Sequence, residues 1–161
     1  MTLTPNNSGW IEVICGSMFS GKTEELIRRI RRAEIAKMNT IIFKPQIDDR
    51  YSSSHVVSHN QSKLASKLVK NSQEILDESS KMDVIGIDEA QFFDDGIVKV
   101  CQSLANDNKR VVIAGLDTDY LGKPFGPVPA LMCEADYLDK LTAICMQRSE
   151  ERRVGKECRS R

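Results

Sequence analysis

The sequence contains no long hydrophobic run. Among its 161 residues, no apolar stretch approaches the roughly 20 residues that a membrane-spanning helix needs. Residues 1–9 carry no charged side chain and no apolar segment of the kind found in secretory signals. We therefore expect no membrane-spanning segment, no membrane partner and a cytoplasmic location.

The sequence also lacks net charge, because 23 Lys and Arg residues balance 23 Asp and Glu residues. Proteins that bind nucleic acids usually carry a clustered excess of basic residues. The composition therefore gives no support to a nucleic-acid partner. Residues 147–161 are an exception, since they hold six basic and three acidic side chains and differ in composition from the rest.

Cysteine and histidine are both sparse. The five cysteines are odd in number and contain no C-x-x-C pair, so a disulfide framework is not expected. His55 and His59 have no spacing that argues for a metal site or a catalytic triad, and we interpret them as surface residues. A length of about one domain, with 40% apolar and 29% charged residues, indicates an ordinary globular protein.

Apolar runs alternate with amphipathic segments along most of the chain. Amphipathic periodicity follows Thr23, Asn71 and Asp95, and we predict that Asp94 and Asp95 open the third helix. Buried strands are predicted at residues 10–15, 40–43, 84–87 and 110–114. This alternation is typical of a parallel sheet with helices on both faces, in which ligands bind at the carboxyl ends of the strands.

The most specific motif lies between the first predicted strand and the first predicted helix. Residues 16–23 read GSMFSGKT and match G-x-x-x-x-G-K-[ST], the loop of P-loop proteins that surrounds phosphates with backbone N–H groups. The lysine of this loop, expected here to be exposed, contacts the β- and γ-phosphates. Together with the alternating elements, the motif predicts an α/β fold of the P-loop NTPase, RecA-like type. The predicted ATP-binding residues are Gly16, Ser17, Met18, Phe19, Ser20, Gly21, Lys22 and Thr23.

A pair of carboxylates follows the third predicted strand. Asp88 comes 65 residues after Thr23, at the position where P-loop proteins hold Mg²⁺ with an acid. We therefore predict that Thr23 and Asp88 bind Mg²⁺, which leaves Glu89 free to act as a general base. The alternative for Glu89 is an acid that complements the N-terminus of a helix.

Several segments resemble, in order, the cytosolic and bacterial-type thymidine kinases. The matching segments are residues 16–29, 44–45, 48–51, 58–59, 87–93, 115–117, 125–127 and 141–145. The resemblance implies ATP-dependent phosphorylation of the 5′-hydroxyl of thymidine, and of deoxyuridine, in nucleotide salvage for DNA synthesis by a homotetramer. It also implies ATP contacts at Asp88, Glu89, Ala90 and Gln91, nucleoside contacts from Met18, Phe92 and Phe125, and a role near the phosphates for Arg50.

The likeness is interrupted where the family places a zinc site. Cys145 matches the first zinc ligand, but Arg148 stands where C-x-x-C spacing needs the second, and Cys158 alone cannot complete a site of four ligands. We expect a protein without zinc, with a tail that is foreign or disordered, and with ATP·Mg²⁺ binding but little or no kinase activity. The predicted divisions are a flexible N-terminus (1–9), a kinase domain (10–140), the start of an incomplete zinc domain (141–146) and the tail (147–161).

Two other functions are compatible with these motifs. The first is a P-loop ATPase stimulated by nucleic acid, against which the lack of basic excess argues. The second is a non-catalytic nucleotide-binding fragment. Thymidine-dependent release of ADP discriminates among the three.

Overall fold

The computed structural model describes residues 8–47, 55–57, 63–145 and 150–152. Its strands are β1 (Trp10–Gly16), β2 (Thr40–Pro45), β3 (His55–Val57), β4 (Lys63–Ala65), β5 (Lys67–Val69), β6 (Val84–Ile87), β7 (Arg110–Gly115), β8 (Tyr137–Leu141), β9 (Ala143–Cys145) and β10 (Glu150–Arg152). Its helices are α1 (Lys22–Ile35), α2 (Ser72–Glu78), α3 (Ile97–Asn106) and α4 (Val128–Glu134), with a short 3-10 helix at Ala90–Phe92. None of the helices described is long and apolar enough to cross a membrane.

Six strands form one parallel sheet in the order β5-β2-β6-β7-β1-β8. Helix α1 covers one face, where Leu26, Ile27 and Ile30 pack against the β-strand residue Ile14. The other face carries a second core to which α3 contributes Leu104. Each buried Leu or Ile side chain stabilises the fold by about 1.5–3 kcal/mol. The predicted α/β fold with helices on both faces is confirmed.

The topology brings three loops to the same edge of the sheet. Strand β7 lies between β1 and β6 and is parallel to both, with Cys15 opposite Gly115 and Ile87 opposite Ile113. The residues that follow β1, β6 and β7 therefore meet at the carboxyl edge. The phosphate-binding loop and Asp88 lie there together, as the sequence predicts.

Helix α3 begins later than predicted, because Asp94 is engaged elsewhere. Its carboxylate accepts hydrogen bonds from the N–H and hydroxyl of Ser72, at 2.9 and 2.7 Å. Asp94 thus ties the start of α2 to the segment that precedes α3, and α3 itself starts at Ile97. The Asn71 side chain caps α2, since it accepts a hydrogen bond from the Glu74 N–H at 3.1 Å.

Two short strand pairs lie outside the main sheet. Strands β3 and β4 are antiparallel, with His55 opposite Ala65. Strands β9 and β10 are also antiparallel, with Cys145 opposite Glu150. The remainder of residues 146–161 lies outside the described residues, and the predicted domain divisions stay predictions.

Candidate functional site

The phosphate-binding loop takes its shape from two glycines with positive φ angles. Gly16 has φ 138°, and a Cβ atom there would lie 2.1 Å from the carbonyl oxygen of Leu141 on the neighbouring strand β8. Gly21, at φ 91°, precedes α1 without a side-chain cap, so the N-terminus of this helix faces the loop. Such an arrangement of backbone N–H groups favours anion binding.

Lys22 lies over its own loop and is half-buried, not exposed as the sequence suggested. Its Nζ atom donates a hydrogen bond to the carbonyl oxygen of Ser17 at 2.5 Å. Burial lowers the pKa of the Lys22 ammonium, and the neighbouring Glu89 and Asp88 carboxylates oppose that shift. The lysine is therefore held between the loop and the two acids.

Asp88 is a buried carboxylate with neutral hydrogen-bond partners. It is 4% exposed and accepts from the Glu89 N–H at 2.9 Å, while the Thr23 Oγ1 atom lies 3.4 Å from each of its oxygens. Burial, and to a lesser extent the Glu89 charge, raises the pKa of Asp88 to about 6. A hydroxyl beside a buried carboxylate is an oxygen-rich donor set that fits Mg²⁺.

Glu89 has an unusual backbone conformation for a glutamate. Its φ and ψ angles are 54° and 42°, in the left-handed region, at the start of the short 3-10 helix. The Glu89 side chain does not cap that helix in the part of the chain described; its Oε2 atom instead accepts from Gln91 Nε2 at 2.8 Å. Glu89 also lines the cleft, and both its role as a base and the alternative at the helix N-terminus stay predictions.

The cleft above the carboxyl edge has a volume of about 410 Å³. Its floor carries charged groups and its rim is apolar, with the side chains of Met18 and Phe19 exposed by 59% and 71%. The residues that line it include Met18, Phe19, Gly21, Lys22, Thr23, Glu24, Asp88, Glu89, Gln91, Gly115 and Leu116.

Two phenylalanines predicted to contact a nucleoside lie against each other. The rings of Phe92 and Phe125 are 5.6 Å apart and meet edge to face at 89°. Phe92 remains 43% exposed. The backbone N–H of Phe125 donates to the carbonyl oxygen of Asp117 at 3.0 Å, which holds the Phe125 segment beside the loop that follows β7.

Other predicted site residues are placed differently. Ala90, the first residue of the 3-10 helix, is fully buried in the core. Arg50 lies outside the described residues, as do Arg148 and Cys158. Cys145 belongs to β9, but its side chain is not described. Among the side chains that are described, no three His, Cys, Asp or Glu residues form a metal-binding group.

An ion pair behind the phosphate-binding loop was not predicted from sequence. The buried carboxylate of Asp117 lies 2.6 Å from Lys140 Nζ, which joins the loop after β7 to the edge strand β8. The only sequence signal was the family-like segment at residues 115–117. The nearby Asp117 charge adds to burial in raising the pKa of the Cys15 thiol to about 11. Cys15 is therefore an uncharged core residue.

Fold and site together define a P-loop nucleotide-binding protein of the α/β class. A glycine-rich loop after β1 faces a buried acid after β6, and the two meet through Thr23 and Asp88. The chain belongs to the thymidine kinase family, whose model, "Thymidine kinase", matches residues 9–157.

Curated relatives carry the same description. The chain is 59% identical over 137 residues to a thymidine kinase of Rhodothermus sp. (strain ITI 518), a match that covers 85% of this chain and 64% of the relative. It is 58% identical over 139 residues to thymidine kinases of Bacteroides thetaiotaomicron and Bacteroides fragilis, covering 86% of this chain and 70% of each relative. The chain thus spans just under two thirds of the length of the Rhodothermus protein.

Proposed function

We propose that this protein transfers the γ-phosphoryl group of ATP to the 5′-hydroxyl of thymidine, and of deoxyuridine, with the low turnover that the interrupted zinc site predicts. The observation that carries the proposal is the presence of Glu89 in the same cleft as Lys22 and the Thr23–Asp88 pair. A base, a phosphate-binding lysine and a cation-binding acid are the parts that phosphoryl transfer to an alcohol requires. The names of the relatives support thymidine as the acceptor.

Each described group has a distinct task in this reaction. The loop N–H groups and Lys22 bind the β- and γ-phosphates of ATP. Thr23 and Asp88 would hold Mg²⁺, which supplies positive charge to the phosphate oxygens. Glu89 accepts the proton of the 5′-hydroxyl while the hydroxyl oxygen bonds to the γ-phosphorus. The bond between the γ-phosphorus and the oxygen that bridges it to the β-phosphate breaks, which releases ADP.

The rim of the cleft is suited to a nucleoside. Met18 lines the cleft, and the Phe92–Phe125 pair begins one residue after the cleft-lining Gln91. Together they offer apolar and aromatic surface against which a thymine ring can pack. In the proposed complex, Arg50 assists near the phosphates, as the family resemblance implies. We extend the proposal to a cytoplasmic homotetramer acting in nucleotide salvage, which family likeness supports and light scattering of the purified chain can test.

Thymidine-dependent release of ADP tests the proposal directly. The kinase requires thymidine and forms the 5′-monophosphate, whereas an ATPase releases ADP with or without the nucleoside. A non-catalytic fragment binds ATP but releases no ADP. The matched control substrate is 5′-deoxythymidine, which keeps the base and sugar but lacks the accepting hydroxyl, so it should compete with thymidine and yield no product.

A further inference from the structure

Gln91 uses both ends of its side-chain amide inside the protein. It is 4% exposed and lies two residues after Glu89 in the short 3-10 helix. Its Oε1 atom accepts a hydrogen bond from the backbone N–H of Leu116 at 3.0 Å, and its Nε2 atom donates to Glu89 Oε2 at 2.8 Å. The amide therefore bridges the start of the loop after β7 and the proposed base.

The orientation of this amide follows from its partners. The Leu116 N–H is a donor, so only the amide oxygen can face it, and the NH₂ group must then point towards the Glu89 carboxylate. One carboxylate oxygen of Glu89 is occupied by this bond. Within the described ranges, no hydrogen bond is seen to the other oxygen, Oε1, which can accept a proton from an acceptor hydroxyl.

Two glycines leave room for Gln91 in this position. A Cβ atom on Gly115 would lie 3.1 Å from Gln91 Oε1, which is tighter than ordinary van der Waals contact. A Cβ atom on Gly126 would lie 2.3 Å from the Gln91 carbonyl oxygen, and Gly126 has φ +54°. The end of β7 and the segment at Gly126 thus leave room for this glutamine from two sides.

We propose that Gln91 is a positioning residue that fixes the Glu89 carboxylate against the loop after β7. The inference rests on the proposed function, in which Glu89 is the base, and gives Gln91 a role other than the ATP contact implied by family resemblance. Glu89 sits in a left-handed turn, lines the cleft and has several rotatable side-chain bonds. The bond from Gln91 restricts those rotations, so that the carboxylate meets the acceptor in one orientation.

The kinetic test uses Gln91→Glu, which keeps the size of the side chain and an oxygen facing the Leu116 N–H. It replaces the donor to Glu89 with a carboxylate oxygen that repels it. We expect kcat to fall by about 10–100-fold, because small displacements of a catalytic group have effects of that order. The KM for ATP should stay within about twofold of the parent value.

The matched control is Gln73→Glu. Gln73 also donates to a carboxylate, that of Asp77 at 3.1 Å, but on the exposed surface of α2. This variant should keep the parent kcat. A comparable fall in kcat in both variants would overturn the inference.

A double-mutant cycle separates positioning from general damage to the site. If Gln91 acts through Glu89, then Gln91→Glu should lower kcat no further in a Glu89→Gln background. An equal fall in both backgrounds would show that Gln91 acts independently of Glu89, and the inference would be wrong.

A measurement that needs no turnover decides the placement of Gln91 itself. With ¹⁵N-labelled glutamine, the side-chain amide of Gln91 can be assigned by its disappearance in Gln91→Glu. Its protons should exchange with water at least tenfold faster in Glu89→Ala than in the parent, and unchanged exchange would overturn the inference. If the parent protein fails to phosphorylate thymidine, the proposed function is wrong. The exchange measurement still decides whether Gln91 donates a hydrogen bond to Glu89.

Discussion

The Thr23 Oγ1 atom lies 3.4 Å from both carboxylate oxygens of Asp88, although 65 residues separate the two in sequence. The hydroxyl belongs to the first turn of α1, which follows β1, and the acid follows β6. In the sheet, β1 and β6 are separated by strand β7. Their meeting depends on the strand order and on Gly21, which allows the loop to turn into α1. The contact joins the phosphate-binding loop to the acid on which the proposed cation site depends.

Asp88→Asn should stabilise the metal-free protein at neutral pH while abolishing Mg²⁺-dependent turnover. The pKa of Asp88 is raised from 3.8 to about 6, so the folded protein binds this proton more tightly than the unfolded chain. Its contribution to stability is therefore greatest at low pH and is lost as pH rises through about 4 to 6. Urea titrations in EDTA should show the variant gaining up to about 3 kcal/mol over the parent between pH 4 and pH 7.5.

The control for this prediction is the response to the cation. Mg²⁺ should raise the melting temperature of the parent at pH 7.5 and leave that of Asp88→Asn unchanged. A difference in unfolding free energy that does not vary with pH would contradict the assignment.

Glu89→Gln should keep ATP binding and lose phosphoryl transfer. The substitution preserves the size of the side chain but removes the group that accepts the hydroxyl proton, a contribution of about 10²–10⁴ in rate. Steady-state kinetics should show that loss in kcat, with the dissociation constant for ATP within about twofold of the parent. Glu134→Gln, on the exposed part of α4, is the matched control and should keep full activity. An unchanged kcat in Glu89→Gln would show that Glu89 is not the base.

Lys22→Ala should weaken ATP binding without unfolding the protein. The lysine is half-buried and its Nζ atom bonds to a loop carbonyl, so little core packing is lost. Loss of a charged hydrogen bond to phosphate should weaken binding by about 10–100-fold. Isothermal titration with ATP measures this, and circular dichroism monitors the fold. Lys99→Ala, on the exposed face of α3, should bind ATP like the parent, and equal affinity in Lys22→Ala would refute the assignment.

Phe92→Ala should raise the KM for thymidine and leave the KM for ATP unchanged. Phe92 is exposed to the solvent and supported edge to face by Phe125, so its removal takes away surface for the base without opening the core. Stacking of a base on an aromatic ring is worth about 1–3 kcal/mol, which corresponds to a rise in KM of about 5- to 150-fold. Tyr120→Ala is the matched control, because it also removes an exposed aromatic ring but outside the cleft. It should leave the KM for thymidine unchanged. If the KM for ATP rose instead, Phe92 would contact ATP and not the nucleoside.

Sequence reasoning predicted the buried strands and the contiguous motifs. Strands β1, β2, β6 and β7 are mostly apolar because both of their faces are covered, and this leaves a strong signal. Strand β8 was missed because it is an edge strand: three of its five residues, Leu138, Asp139 and Lys140, are exposed. Its pairing with β1 depends on the tertiary fold and leaves no apolar pattern.

The same distinction holds at the site. The loop at residues 16–23 and the acid Asp88 could be predicted because each belongs to a short contiguous motif. The bond from the Leu116 N–H to Gln91 could not, since it joins residues 25 apart and depends on the space left by two glycines. The pairing of Asp117 with Lys140 likewise arises only when β8 takes its place beside β1.

The order of strands in the sheet also has a consequence for biosynthesis. Strand β1 pairs with β7 and β8, and Trp10 lies opposite Arg110, so its first partner is translated about 100 residues later. At about 5–20 residues per second, a ribosome needs roughly 5–20 s to make that stretch. During this interval the apolar β1 strand has neither of its two sheet partners. Protection of β1 on the nascent chain must therefore come from α1 or from a chaperone until β7 emerges.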